Sequence, residues 1–164
     1  MIQAPVTALE KQRTPPVPME KGGINKSKIL SGIGSNWELD MELTVSLAGK
    51  TGLRIGEKTK PVCEIYYDPV TRAFYLDRGA GNAFHNAAFE KLNQFRVPVL
   101  LTENKISLHV YFDNSIIEVF INNGDRVMTA QVFPEQDNPV VELFSEGTGA
   151  NINKLFAWKI KSVW

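Results

Sequence analysis

The chain has 164 residues, of which 43% are apolar and 22% charged, and its 18 Lys plus Arg balance its 18 Asp plus Glu. This is the size of one domain with one core, and charges of both signs are interspersed, so no basic field exists to attract a phosphate backbone or an anionic bilayer. Nucleic acid and membrane are therefore not expected partners, and no stretch approaches the ~18 apolar residues of a membrane helix.

The first stretch, residues 1–23, contains Pro5, Pro15, Pro16, Pro18, Gly22 and Gly23, with one short helix-like turn around Thr7 to Arg13. It reads as an extended strap linked to something upstream, which leaves residues 24–164 as the folded module. From Ser35 the pattern has period two. Trp37, Leu39, Met41, Leu43 and Val45 are apolar, and Glu38, Asp40, Glu42 and Thr44 between them are polar, the alternation of a strand with one face on a core and one in water. Val62 to Tyr67 and Ala73 to Asp77 flank an Asp68-Pro69 turn signal and read as a hairpin.

Ala83 to Asn93 has no clear period and fits a loop, a short strand or a short helix. Leu108, Val110 and Phe112 alternate, Asp113-Asn114-Ser115 supplies a turn, and Ile117, Val119 and Ile121 alternate again. Asn122-Asn123-Gly124-Asp125 is a type I′ turn signal, because Asn and Gly tolerate positive φ, and it leads into Val127 to Phe133. Val140 to Ser145 and Lys154 to Val163 complete the series, the latter with Phe156, Trp158 and Ile160 on one face. Roughly ten short strands with almost no helical period predict an all-β fold, a two-sheet antiparallel β-sandwich of jelly-roll or concanavalin-like type behind the N-terminal strap. The expected core includes Trp37, Leu39, Met41, Leu43, Val110, Phe112, Val119, Ile121, Phe156 and Trp158.

Few residues suggest chemistry. Cys63 is the only cysteine, which excludes an internal disulfide and multi-thiolate metal sites, and a lone cysteine in a strand is most often a small buried hydrophobe. His85 and His109 share no ligand spacing, so neither a metal nor a cofactor is expected. No G-x-S-x-G, Walker loop or H-E-x-x-H is present.

Three stretches together resemble the C-terminal sandwich of glycoside hydrolase family 32, the β-fructosidases that include invertases, inulinases and levanases. Gln3 to Arg13 is similar to the family's "Q-x-P-V-x-E-L-x-x-L-R" segment, with Ala8 and Gln12 as departures. Ile65-Tyr66-Tyr67-Asp68 followed by Tyr75 to Asn82 resembles its hairpin ending in "D-R-x-x-S-G-N", one residue shorter and with Ala80 in place of the serine. Asp113 to Phe120, Asn123-Gly124 and Phe133-Pro134 resemble "D-x-S-x-x-E-V-F-x-N-x-G…F-P".

The resemblance implies a non-catalytic module that supports the propeller domain of a parent enzyme acting on fructans or sucrose, with secretion or the periplasm the natural location of that parent. The family's catalytic carboxylates belong to propeller motifs resembling "W-M-N-D-P-N-G", "R-D-P" and "E-C", which this sequence lacks, and glycoside hydrolysis needs a carboxyl pair across the bond. An autonomous fructan-binding module that recognises a terminal fructose is the alternative, and a general lectin-like interaction sandwich is a more remote one. For a sugar the candidate residues are Asp77, Arg78, Asp113 and Glu118, with Tyr66 and Tyr75 as a stacking pair. The polar four serve equally to hold a fructose or to tie two loops together, and both uses predict Arg78 within salt-bridge reach of Asp113 or Glu118. The two tyrosines serve equally as a cross-strand aromatic pair.

Overall fold

The computed structural model describes residues 2–147 and 149–161. A 3-10 turn at Thr7–Gln12 is followed by β1 (Gly22–Gly23), β2 (Ser27–Ile29), β3 (Trp37–Thr44), β4 (Thr51–Glu57), β5 (Lys60–Asp68) and β6 (Ala73–Arg78). A single helical turn, α1 (Ala87–Glu90), leads to β7 (Gln94–Pro98), β8 (Lys105–Asp113), β9 (Ile116–Ile121), β10 (Arg126–Gln131), β11 (Val141–Ser145) and β12 (Asn151–Lys159). They form two six-stranded antiparallel sheets, β1-β12-β3-β8-β9-β10 and β2-β11-β4-β5-β6-β7, the sandwich expected from the alternation. The last residues of the strand expected over Lys154 to Val163 lie outside the described residues.

The core is the interdigitated inner faces of both sheets. Trp37, Leu39, Met41 and Leu43 of β3 face inward beside Val110 and Phe112 of β8 and Val119 and Ile121 of β9, all essentially without exposure, and Ile55, Ile65, Phe74 and Leu76 close over them from the second sheet. Trp37 stacks on Phe112 with ring centroids 5.3 Å apart. Cys63 is buried in the same core, where burial pushes its thiol pKa up, as suits a small packing group. The turn after β9 is type I′-like as expected: Gly124 N–H donates to Ile121 O, and Asn122 and Asn123 have φ of 49° and 57°.

Phe156 and Trp158 differ from expectation. Phe156 is 44% exposed and Trp158 is half-buried, while Leu155 and Ala157 face the core. The cause is a β-bulge. The register of β12 on β3 steps from Ile152↔Leu43 to Lys154↔Glu42, which leaves Asn153 as an extra residue, and one inserted residue turns every following side chain to the other face. Asn153 is held there by hydrogen bonds from its amide to Glu42 and Thr44.

The two faces of the sandwich therefore carry different energetic weight. Trp37→Ala is expected to lower stability by about 3–5 kcal/mol, the cost of a cavity left by a large aromatic side chain, whereas Phe156→Ala should cost under about 1 kcal/mol, as at other exposed positions. Urea unfolding midpoints of the two variants measure the difference; equal losses would contradict the bulge-shifted phase.

Candidate functional site

The six sugar-contact candidates do not converge. Along β6, Phe74, Leu76 and Arg78 face the gap between the sheets, and Tyr75 and Asp77 face outward. Asp77 and Arg78 are adjacent in sequence but lie on opposite sides of one sheet. Glu118 belongs to the other sheet, between the core residues Ile117 and Val119, and so faces outward there; Asp113 is exposed at the end of β8. The expected approach of Arg78 to Asp113 or Glu118 is corrected: the thickness of the first sheet separates Arg78 from Glu118, and Arg78 forms no ion pair among the described residues.

Arg78 is 9% exposed and binds main-chain oxygens instead. Its Nη2 donates to Phe89 O at 2.5 Å and to Leu92 O, its Nη1 to Gln131 O at 3.5 Å, and its guanidinium carbon lies 3.6 Å from the Phe89 ring centroid. It thereby pins the 79–93 loop, and burial pushes its pKa down. Beside it is a hollow of about 250 Å³ lined by Arg78, Asn82, Phe84, His85, Phe89 and Asn93 among others.

Tyr66 and Tyr75 form the cross-strand pair, with rings 5.2 Å apart and nearly parallel. They belong to a row across the outer face of the second sheet, Phe144–Gly52–Tyr66–Tyr75–Arg96, in which Lys50 Nζ sits 4.6 Å from the Tyr66 ring centroid. Gly52 is required there, because a Cβ would fall 2.0 Å from Ile65 O. The Tyr66 hydroxyl donates to Asp77 Oδ2 at 2.7 Å; burial, and then Asp77, push its pKa up. In the adjoining row Arg54 bridges Glu64 at 2.5 Å and Glu142 at 2.7 Å.

The strongest polar cluster lies elsewhere. Glu38 points out of the first sheet, between Trp158 and Tyr111 in the register, and yet it has no exposure. The strap covers it. Arg13 forks onto the carboxylate, Nε to Oε2 at 2.7 Å and Nη2 to Oε1 at 2.6 Å, and its guanidinium carbon lies 4.5 Å from the Trp158 ring centroid. Tyr111 donates its hydroxyl to Glu38 at 2.8 Å, and His109 Nε2 lies 2.5 Å from the same oxygen. Burial alone would raise the carboxyl pKa, but the hydrogen bonds from Arg13, His109 and Tyr111 more than reverse it and hold it at about 2.

The cluster was missed in the sequence because alternation assigns Glu38 to water. The available signal was Arg13, the last residue of the first matched stretch. Either side of it, Thr14 N–H donates to Lys159 O, Val17 N–H to Ala157 O and Gln3 N–H to Gly124 O; a Cβ on Gly124 would fall 1.6 Å from Gln3 O, so only glycine admits the strap at that turn.

The comparisons with known proteins agree with this architecture. A family model described as "Glycosyl hydrolases family 32 C terminal" matches residues 6–159. A levanase of Bacillus subtilis (strain 168) is 26% identical over all of this chain and 25% of its own length, and a probable sucrose-6-phosphate hydrolase of Psychromonas ingrahamii is 29% identical over 84% of this chain and 23% of its own. The chain thus spans about a quarter of the curated relatives it matches. Among solved structures, an exo-inulinase from Aspergillus awamori superposes with a TM-score of 0.80 at 22% identity over 99% of this chain and 33% of its own. Fructan 1-exohydrolase IIa from Cichorium intybus gives 0.78 at 18% identity, over 98% of this chain and 38% of its own.

Removing one partner of a buried pair leaves an uncompensated charge, so Arg13→Ala is expected to cost about 3–5 kcal/mol at pH 7. Since folding lowers the Glu38 pKa from 4.5 to about 2, the stability it contributes is complete above about pH 4.5 and is lost as pH falls towards 2. Denaturation profiles of wild type and Arg13→Ala should therefore converge across that window; a gap that persists at pH 2 would show that the pair is not its source.

Proposed function

The chain belongs to the glycosyl hydrolase family 32 C-terminal domain family, and from that premise we propose that it is a non-catalytic module supporting the propeller domain of a fructan- or sucrose-cleaving enzyme. The observation that carries this reading is the fixed strap. Hydrogen bonds to β12 and the Glu38 fork orient residues 3–17 along the first sheet, so a domain joined ahead of Gln3 is held in a set direction. Glycoside hydrolysis requires a carboxyl pair across a common cleft; Asp77 lies on the outer face of the second sheet, and Asp113 and Glu118 lie on that of the first, with Asp113 exposed at the end of β8.

A second reading, recognition of a terminal fructose, is favoured by the hollow beside Arg78, where a buried guanidinium has only carbonyl acceptors and Nε has no partner among the described residues. Asp77, Tyr66 and Tyr75 lie on the opposite face and would play no part in it.

The chain alone should release no reducing sugar from sucrose, inulin or levan. Joined behind a family 32 propeller through its strap, it should raise the melting temperature of that propeller without changing which sugar bond is cleaved; equal melting temperatures with and without it would reject the supporting role. Calorimetric titration with levan and inulin separates the readings. On the supporting reading Arg78→Lys loosens the 79–93 loop and leaves fructan affinity unaltered, whereas on the second it abolishes an affinity shown by the wild type.

A further inference from the structure

The outward rows of the first sheet leave a space that the strap roofs without filling. The register places Phe156, Asp40, His109 and Phe120 in one row across β12, β3, β8 and β9, and Lys154, Glu42 and Ser107 in the next. Residues Gln3 to Pro5, with Asp40, His109, Phe120, Ser107 and Lys154 of these rows, line a half-open cavity of about 260 Å³ between strap and sheet. That is the volume of roughly eight or nine waters at ~30 Å³ each, below the ~300–1,000 Å³ of sites for drug-sized ligands, which suits one small ring rather than a polymer segment.

Elsewhere among the described residues unpartnered buried polar atoms occur singly, at Trp37 Nε1, Asp77 Oδ1 and Arg78 Nε. Around the strap cavity several polar groups without an intramolecular bond among those residues line one space. Asp40 accepts from Lys154 through Oδ2 at 2.7 Å, and among the described residues its Oδ1, the Ser107 hydroxyl and the Asn123 amide carry no hydrogen bond. Among the described residues His109 hydrogen-bonds through Nε2 to Glu38 and not through Nδ1. The one acidic and one basic side chain that line the cavity cancel, which disfavours an ion as occupant, while Phe120 and Pro5 add flat apolar surface.

Separate donors and acceptors around a small apolar surface match the hydroxyl pattern of a neutral polyol. We propose that the cavity between the strap and the first sheet binds a single sugar ring or a polyol of that size, held by Asp40, Ser107, His109 and Lys154 against Phe120. The walls are already in place: sheet register fixes the rows, and the Glu38 fork with the Gln3–Gly124 bond fixes the roof, so little ordering is spent on binding. This inference does not depend on the supporting role or on the Arg78 hollow.

The test is titration of the whole chain with D-fructose, D-glucose and sorbitol, followed through backbone amide NMR shifts. Saturable shifts at Ser107, His109 and Asn123 are expected with at least one of the three, in the millimolar range. Ser107→Ala and Asp40→Asn should each weaken that binding roughly tenfold, as for loss of one hydrogen bond to a polar or charged group, and Val70→Ala, at an exposed position between β5 and β6, should leave it unchanged. Ser107→Ala removes a hydroxyl that makes no bond among the described residues, so it carries the test even if Asp40→Asn fails to fold. Absence of saturable shifts at these residues with all three probes, or wild-type affinity in Ser107→Ala, would overturn the proposal.

Discussion

A carboxylate without solvent exposure on the outward face of a sheet is the constraint on which the rest of this architecture turns. Glu38 has no exposure, and an ionised group taken out of water needs a counter-charge and hydrogen bonds for its lone pairs. Arg13 supplies the fork, and Tyr111 and His109 complete the shell. Because Arg13 belongs to the strap, satisfying Glu38 fixes where the strap runs, and the strap in turn shields Trp158 and roofs the cavity over Ser107 and Phe120.

The two outer faces solve the same problem differently. On the first sheet a separate segment forms a third layer over the polar rows. On the second sheet the rows shield themselves: Tyr66, Tyr75 and Phe144 cluster together and are nearly unexposed, with Lys50 over Tyr66 and Arg54 over Phe144. A sheet with one face on the core ordinarily leaves the other in water, and here neither outer face is a plain solvated surface. Of the two uses open to Tyr66 and Tyr75, the rings take the cross-strand pair and stack on each other, while Asp40, Ser107 and Asn123 keep hydrogen-bonding capacity together beneath the strap.

Much of the fold was legible because period-two alternation is a local property. β3, β5, β6, β8, β9, β10 and β11 were all readable from apolar spacing and turn residues, and the Asn122-Asn123-Gly124 turn from its tolerance of positive φ. β4 was not, since Gly52 and Gly56 interrupt its pattern for packing reasons visible only in three dimensions. The phase of β12 failed at Asn153, because a bulge leaves no local signature in composition. The candidate site was less legible still. Sequence adjacency suggested that Asp77 and Arg78 act together, and strand geometry sends them to opposite faces; alternation gave Glu38 to water, and only the arrival of Arg13 from 25 residues away buries it.

Native-state hydrogen exchange of the strap amides measures most directly whether the Glu38 fork holds this layer in place. Thr14 N–H and Val17 N–H, bound to Lys159 O and Ala157 O at 2.9 and 2.8 Å, report on it at neutral pH. The account predicts protection of both in the wild type and exchange at least about tenfold faster in Glu38→Gln, the factor corresponding to ~1.4 kcal/mol, while core amides such as Leu39 and Val110 remain protected. Free exchange of Thr14 and Val17 in the wild type, or equal protection in the two proteins, would contradict it.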